Sequence, residues 1–420
     1  MRVRAGRRPA SGSALGGAVL LAASALAAGG QTTAYAAATP TCFGQKATIV
    51  GSSGSNRIHG TSGNDVIVAG SGNDRVLAGA GDDLVCGGWG ADRLHGGSGR
   101  DWIAGEGGTK VRTDHGLRIS NDVLYGDTGD DVLSPGFDNR YPSDTPDRIS
   151  YADFPHPVTV STVRHTVVSS HGTDTFLGDR AAVVGSSFDD SFTGGPLRDI
   201  FQGGPGADTL VGGGGEDTLR DDYQSAPHHT ADRLDGGAGD DQLFTFGGKD
   251  VLQGKDGNDL LSDYGRDAGT MDGGAGDDVI NDGINKSPDQ EVDGGPGTDT
   301  VTLYVDTIKE GWPRLTADIA SGFGRFESGT PVRFGMASTD ILAVIGLPLT
   351  FIGDGADNKV RTDGSGHLDA SGNGGNDTFV GRPGADTYDG GPGTDRVNTR
   401  GGPDTCVSIE VVTGGKCPAP

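Results

Sequence analysis

Apolar side chains are scarce in this 420-residue chain. Hydrophobic residues make up 33% and aromatics 6%, below the share from which globular domains build their cores. The length would ordinarily hold two or three domains, yet this composition cannot bury one large compact core. Basic residues are short too, 33 against 58 acids, which excludes a nucleic-acid binder that works through phosphate contacts and points to cations as partners. Past the N-terminus no apolar run approaches the length of a membrane span. No HExxH, GxSxG or P-loop lysine motif occurs, so the usual zinc proteases and nucleophile-elbow hydrolases are not indicated. The nine histidines are scattered, and the adjacent pair His228–His229 reads as part of an exposed loop.

The ends of the chain carry their own signals. Arg2, Arg4, Arg7 and Arg8 form a basic start, an apolar run follows from Ala14 to Ala28, and Ala34-Tyr35-Ala36 and Ala36-Ala37-Ala38 offer small-x-small cleavage sites. This predicts an export signal over 1–38, read by the general secretory route, and a secreted protein. The run is too short and too rich in Ala and Gly for an anchor. Its removal takes four arginines and moves the formal charge from −25 to −29. Four cysteines, Cys42, Cys86, Cys406 and Cys417, lie near the two ends of the mature chain. An even number in an exported protein suggests disulfides. Three pairings are open, and the local one, Cys42–Cys86 with Cys406–Cys417, is favoured because each bridge would pin one terminus.

Glycine is abundant, with 78 residues, and its order decides between disorder and a repeat. Residues 51–104 fall into rows of nine: GSSGSNRIH, GTSGNDVIV, AGSGNDRVL, AGAGDDLVC, GGWGADRLH and GGSGRDWIA. Column four is always Gly. Column six holds Asn56, Asp65, Asp74, Asp83, Asp92 and Asp101, and column eight Ile58, Ile67, Val76, Val85, Leu94 and Ile103. The register returns around Asp122 and Asp131, around Asp208 and Asp217, and around Asp241, Asp250 and Asp259. It appears again around Asp278 and Asp299, and finally around Asp377, Asp386, Asp395 and Asp404. Mere glycine richness would not fix three residue classes at a period of nine.

These rows resemble the RTX, or haemolysin-type, calcium-binding nonapeptide GGxGxDxUx. The resemblance implies an all-β parallel β-roll that binds multiple Ca²⁺ between consecutive coils, held by column-six Asp side chains and turn carbonyls.

The residues argue the same way. Gly in columns one, two and four permits a tight turn. Columns seven to nine form a short strand whose middle side chain points inward, so column eight is core. Two rows complete a coil of 18 residues, which sets Asp65, Asp83 and Asp101 along one edge and Asn56, Asp74 and Asp92 along the other. Acids stacked at ~4.8 Å repel. Calcium suits such a ladder, since it takes six to eight oxygens and accepts backbone carbonyls. The column-five acids Asp82, Asp130, Asp240 and Asp277 are expected only to solvate their turns.

The expected organisation is a roll over 39–104, a strand-rich insertion with degenerate repeats over 105–202, and a second roll over 203–302. A second strand-rich insertion over 303–352 and a C-terminal roll and cap over 353–420 complete it. The insertions read either as longer coils with loops or as an interposed β-sandwich, and their shortness favours the first. Rows at Asp190 and Asp199 carry Phe188 and Leu197 in column four and are expected to bind calcium weakly or not at all. Gly269 and Gln290 stand where the ladder wants Asp. Outside the repeats too little chain remains for a catalytic domain, so the expectation is a non-enzymatic calcium binder. The alternatives are an extracellular adhesin or matrix protein that engages polysaccharide or protein, or a carbohydrate-active enzyme on the same scaffold.

Overall fold

Each row of nine ends in a strand, and rows two apart hydrogen-bond to each other. Ile67 pairs with Val85 and Val85 with Ile103, all parallel, in strands Val66–Ser71, Leu84–Trp89 and Trp102–Gly107. The intervening rows form a second parallel sheet, in which Val76 pairs with Leu94 and Leu94 with Leu124. The partner therefore lies 18 residues away within the uninterrupted rows, as two rows per coil require. In the full rows the strands run six residues, beyond columns seven to nine, because pairing continues through the glycines, as from Gly70 to Gly88. This close stacking explains column two. Gly88 has φ 99°, and a Cβ built on it would run into the carbonyl oxygen of Gly70.

The structure is a computed structural model. It describes residues 39–107, 110–113, 116–119, 121–136, 147–178, 182–221, 230–265, 269–283, 290–304, 315–318, 323–326, 331–335, 341–345, 348–363, 367–415 and 417. The export segment expected over 1–38 and the His228–His229 pair lie outside these residues. Among the described residues there is no helix, and so none long and apolar enough to cross a membrane. The architecture is a parallel β-roll of two sheets.

Column eight fills the space between the sheets. Ile67, Val85, Leu94, Leu124, Leu210 and Leu261 are fully buried, in one apolar cluster that runs from Ile58 to Cys406. One large apolar side chain per row makes a thin core, and each coil relies on its neighbours to cover it.

Of the segments that break the nonapeptide register, 105–116 contributes to a separate antiparallel hairpin, Lys110–Thr113 with Gly116–Ile119; the two longer ones, 135–184 and 303–352, keep the two sheets running by the same device. In one sheet Val132–Ser134 pairs with Gly172–Phe176 in parallel; the sheet then continues to Thr166–Ser169 and Thr159–Ser161 through antiparallel pairings, and Thr159–Ser161 pairs in parallel with Ser191–Thr193. The arrangement recurs in the same sheet: Gln290–Asp293 pairs with Pro331–Gly335, and two antiparallel pairings lead through Phe323–Phe326 to Leu315–Asp318, which pairs in parallel with Leu349–Ile352. Two reversals restore the original direction, so the parallel register resumes on the far side. Meanwhile the other sheet continues through Arg148–Ser150 and Ala182–Val184, and later through Ile341–Ile345.

The bridges Cys42–Cys86 and Cys406–Cys417 are both formed. Cys42 lies in a small hairpin, Thr41–Cys42 with Gln45–Lys46. Cys86 occupies column nine, outside the main core, where Cys42, Cys86 and Ala104 form a second small cluster with Val68 and Leu84. Cys406 occupies column eight and ends the main core.

Candidate calcium ladders

Column six is buried along both edges, with Asp83, Asp101 and Asp122 fully inaccessible. A buried carboxylate needs hydrogen bonds or a counter-charge. The backbone meets half of that need: Oδ1 of each acid accepts the N–H of the column-six residue one coil earlier. On one edge Asp65 donates to Asp83 (2.7 Å), Asp83 to Asp101 (2.8 Å), Asp101 to Asp131 (2.8 Å) and Asp131 to Asp174 (3.0 Å). On the other, Asn56 donates to Asp74, Asp74 to Asp92, Asp92 to Asp122 and Asp122 to Asp147. Further on, one run links Asp190, Asp208, Asp232 and Asp250, and another links Asp199, Asp217, Asp241, Asp259, Asp278 and Asp299. Near the C-terminus Asp377 and Asp395 lie on one edge, and Asp386 and Asp404 on the other. Every column-six acid singled out in the sequence thus sits in a ladder.

The second oxygen separates two kinds of turn. In the first, Oδ2 is buried and has no hydrogen-bond partner among the described residues; Asp74, Asp83, Asp92, Asp101, Asp131, Asp217, Asp241, Asp250, Asp259, Asp278, Asp377, Asp395 and Asp404 are of this kind. In the second, protein donors fill it. Thr61 closes on Asp65 Oδ2 through its N–H (2.7 Å) and hydroxyl (2.9 Å), and the Ser186 N–H does so on Asp190 (2.6 Å). Gly195 N–H and the Thr162 hydroxyl close on Asp199, Arg382 N–H and the Tyr388 hydroxyl on Asp386, and the Tyr151 hydroxyl on Asp174.

The backbone at column two decides between them. Thr61, Ser186, Gly195 and Arg382 lie outside the left-handed region, and their N–H points at the acid of their own turn. In the open turns other than that of Asp250 column two has positive φ, as at Gly79 (120°), and the N–H is turned away. Even residues with a Cβ adopt it there: Asp127 (67°), Lys255 (86°), Asn373 (64°) and Arg400 (49°). Each of those costs about 1–2 kcal/mol of backbone strain, which marks a position where something else stabilises the open form.

The open turns leave room for a cation. A Cβ built on Gly87, in column one, would lie 2.6 Å from Asp92 Oδ2 and 3.0 Å from the carbonyl oxygen of Gly105, the column-one residue of the next coil. A carboxylate and a carbonyl thus converge on one small space that a side chain would fill. Such a donor set, all oxygen and partly backbone, suits Ca²⁺.

Electrostatics agree. Burial, with the charge of neighbouring rungs added, pushes the Asp92 carboxyl up to about 6, Asp101 to about 7, and Asp131 and Asp250 to about 8; the backbone N–H bond opposes the shift. A carboxyl whose folded value exceeds its ordinary 3.8 holds its proton better when folded. The metal-free roll is therefore most stable below about pH 4 and loses stability as the pH rises through 6 to 8. Calcium has to displace those protons. Its apparent affinity is expected to rise about tenfold per pH unit for each proton displaced, measured by calcium titrations at pH 6, 7 and 8; equal affinity at all three would contradict this electrostatic picture.

Column five differs from the expectation of mere solvation. Arg100 N–H donates to Asp82 Oδ1 (2.9 Å), Thr173 N–H to Asp130 (2.8 Å), Asn258 N–H to Asp240 (2.8 Å) and Thr298 N–H to Asp277 (2.9 Å). These acids clasp the coil that follows, whereas column six clasps the coil before. Sequence reasoning also missed Asp147, Asp174 and Asp232 as rungs, and the buried Asp221, Asp263 and Asp282, which stand in column one. Asp263 and Asp282 open the two turns whose column-six positions are Gly269 and Gln290, where the ladder lacks its acid.

The profile of the RTX calcium-binding nonapeptide repeat (four copies) matches residues 50–85, 87–109, 119–141, 184–219, 230–261 and 370–406. Among curated proteins none matches the chain.

Proposed function

This chain is a repeat protein of the RTX calcium-binding type, and on that premise we propose that it is exported through residues 1–38 and folds outside the cell as its open turns take up calcium. The observation that carries this reading is the run of buried Asp Oδ2 atoms without a hydrogen-bond partner among the described residues, with carbonyl oxygen facing column one in the turns of Asp92, Asp217, Asp259, Asp278, Asp377 and Asp395. Asp83 Oδ2 and Asp101 Oδ2 hold ions on one edge; Asp74 and Asp92, the latter with the Gly105 carbonyl beside column one, do so on the other. The turns ending at Asp65, Asp190, Asp199 and Asp386 hold none or hold it weakly, because protein donors already occupy Oδ2. The basic start and apolar run of 1–38 and the −29 charge of the remainder support export into surroundings richer in calcium than the cytoplasm. The role is structural and non-catalytic, with calcium as cofactor.

Two measurements test this. Equilibrium dialysis of the mature chain against ⁴⁵Ca should find several ions per chain, and N-terminal sequencing of protein from the culture medium should begin near residue 39. A chain that binds no calcium, or one retained in the cell with residues 1–38 in place, would refute the corresponding half.

A further inference from the structure

The turn that ends at Asp232 departs from the nonapeptide. Its column one is Asp221, where Gly203 and Gly236 stand in comparable turns. Asp221 is fully buried, and Asp232 and Asp250 are 2% and 1% exposed. Backbone donors fix all three carboxylates: Phe246 N–H on Asp221 Oδ2 (2.8 Å), Asp208 N–H on Asp232 Oδ1 (2.7 Å) and Asp232 N–H on Asp250 Oδ1 (2.9 Å). One oxygen from each lies within 4.8 Å of the other two, the one such group of three among the described residues.

Phe246 makes this more than a cluster of acids. It stands in column two of the turn that ends at Asp250 and lies outside the left-handed region. In Thr61, Ser186, Gly195 and Arg382 that conformation sends the N–H onto the acid of the same turn. Here Asp221 takes the N–H instead, and Asp250 Oδ2 is left buried without a hydrogen-bond partner among the described residues. Asp221 both brings a third carboxylate and keeps the neighbouring turn open.

We propose that Asp221, Asp232 and Asp250 together hold one divalent cation of the hard, oxygen-seeking class, more tightly than the regular turns hold theirs. The proposal rests on the reading that the roll binds calcium. Three like charges held this close repel, and calcium affinity rises with the number of charged ligands. The regular turns draw on column-six acids and backbone carbonyls; this one adds a full charge.

The test uses the mature chain, residues 39–420, dialysed against graded calcium buffers, with bound metal counted by mass spectrometry. The wild type should retain one ion at a free calcium about tenfold below that which fills the remainder. Asp221→Gly restores the residue usual in column one, and Asp221→Asn keeps the shape without the charge. Both should lose the tightly held ion yet match the wild-type β signal at saturating calcium. Retention of that ion by Asp221→Gly would overturn the proposal and leave the calcium roll standing. A wild type that binds no calcium would overturn both. Hydrogen exchange on the wild type gives a reading independent of variant folding: the Phe246 and Asp232 amides should gain protection at the lowest calcium, and protection there only after the rest of the roll would also overturn the site.

Discussion

Chelating calcium should abolish most of the β structure of the mature chain, and adding calcium back should restore it. The core supplies one large buried apolar side chain per row, as Ile67, Val76 and Val85 illustrate, while the whole row must be ordered. Along each edge, buried carboxylates stack one coil apart, and in the open turns one oxygen has no hydrogen-bond partner among the described residues, an arrangement that opposes folding at neutral pH until a cation neutralises it. Non-glycine residues at positive φ, such as Lys255 and Arg400, add strain. Metal-binding energy is then folding energy. Far-ultraviolet circular dichroism across a calcium titration should show a cooperative gain of β signal from a largely unfolded chain. The bridges Cys42–Cys86 and Cys406–Cys417 close loops only near the ends and should not preserve the middle. A β-rich spectrum in chelator, unchanged by calcium, would contradict this.

The second large effect concerns which acids share ions. Asp83 sits between Asp65 and Asp101 on one edge, joined by backbone-to-Oδ1 bonds of 2.7 and 2.8 Å, whereas Asp74 and Asp92, nearer in sequence, lie on the other edge. Asp83→Ala removes a charged ligand from its own edge and the acceptor of the Asp65 N–H. Combined with Asp101→Ala, the two losses should fall on one site and couple by about 0.5–3 kcal/mol. Combined with Asp92→Ala, they should add within about 0.5 kcal/mol. Double-mutant cycles on the calcium-dependent folding of the mature chain measure both. Stronger coupling for Asp83 with Asp92 would mean that adjacent rows share ions.

Much of this was legible in the residues because the repeat translates directly into geometry. A period of nine with alternating inward residues fixes two sheets and a step of 18, and so predicts which acids stack. The signal failed where the chain between column one and column six lengthens. Asp221 and Asp232 belong to one turn although ten residues separate them, so no row of nine contains both. Asp174 was hidden differently: the three-stranded meander brings the chain back to the ladder from the opposite direction. The division into open and closed turns could not be read from residue type at all. Gly195 closes on its acid, while Lys255, Asn373 and Arg400 adopt the positive φ that keeps theirs open. That choice is set by the backbone of the stacked coils. The clasping role of Asp82 and Asp240 likewise depends on the amide one coil later, which no single row displays.

The central claim is that calcium occupies the open turns and avoids the closed ones. Crystals of the mature chain grown in calcium, with anomalous diffraction recorded at long wavelength, test it most directly. Peaks should appear beside Oδ2 of Asp83, Asp92 and Asp101, near the carbonyls that face column one, and none should appear in the turns where Thr61, Ser186, Gly195 and Arg382 close on Asp65, Asp190, Asp199 and Asp386. Peaks distributed equally over both kinds of turn, or absent from both, would contradict it.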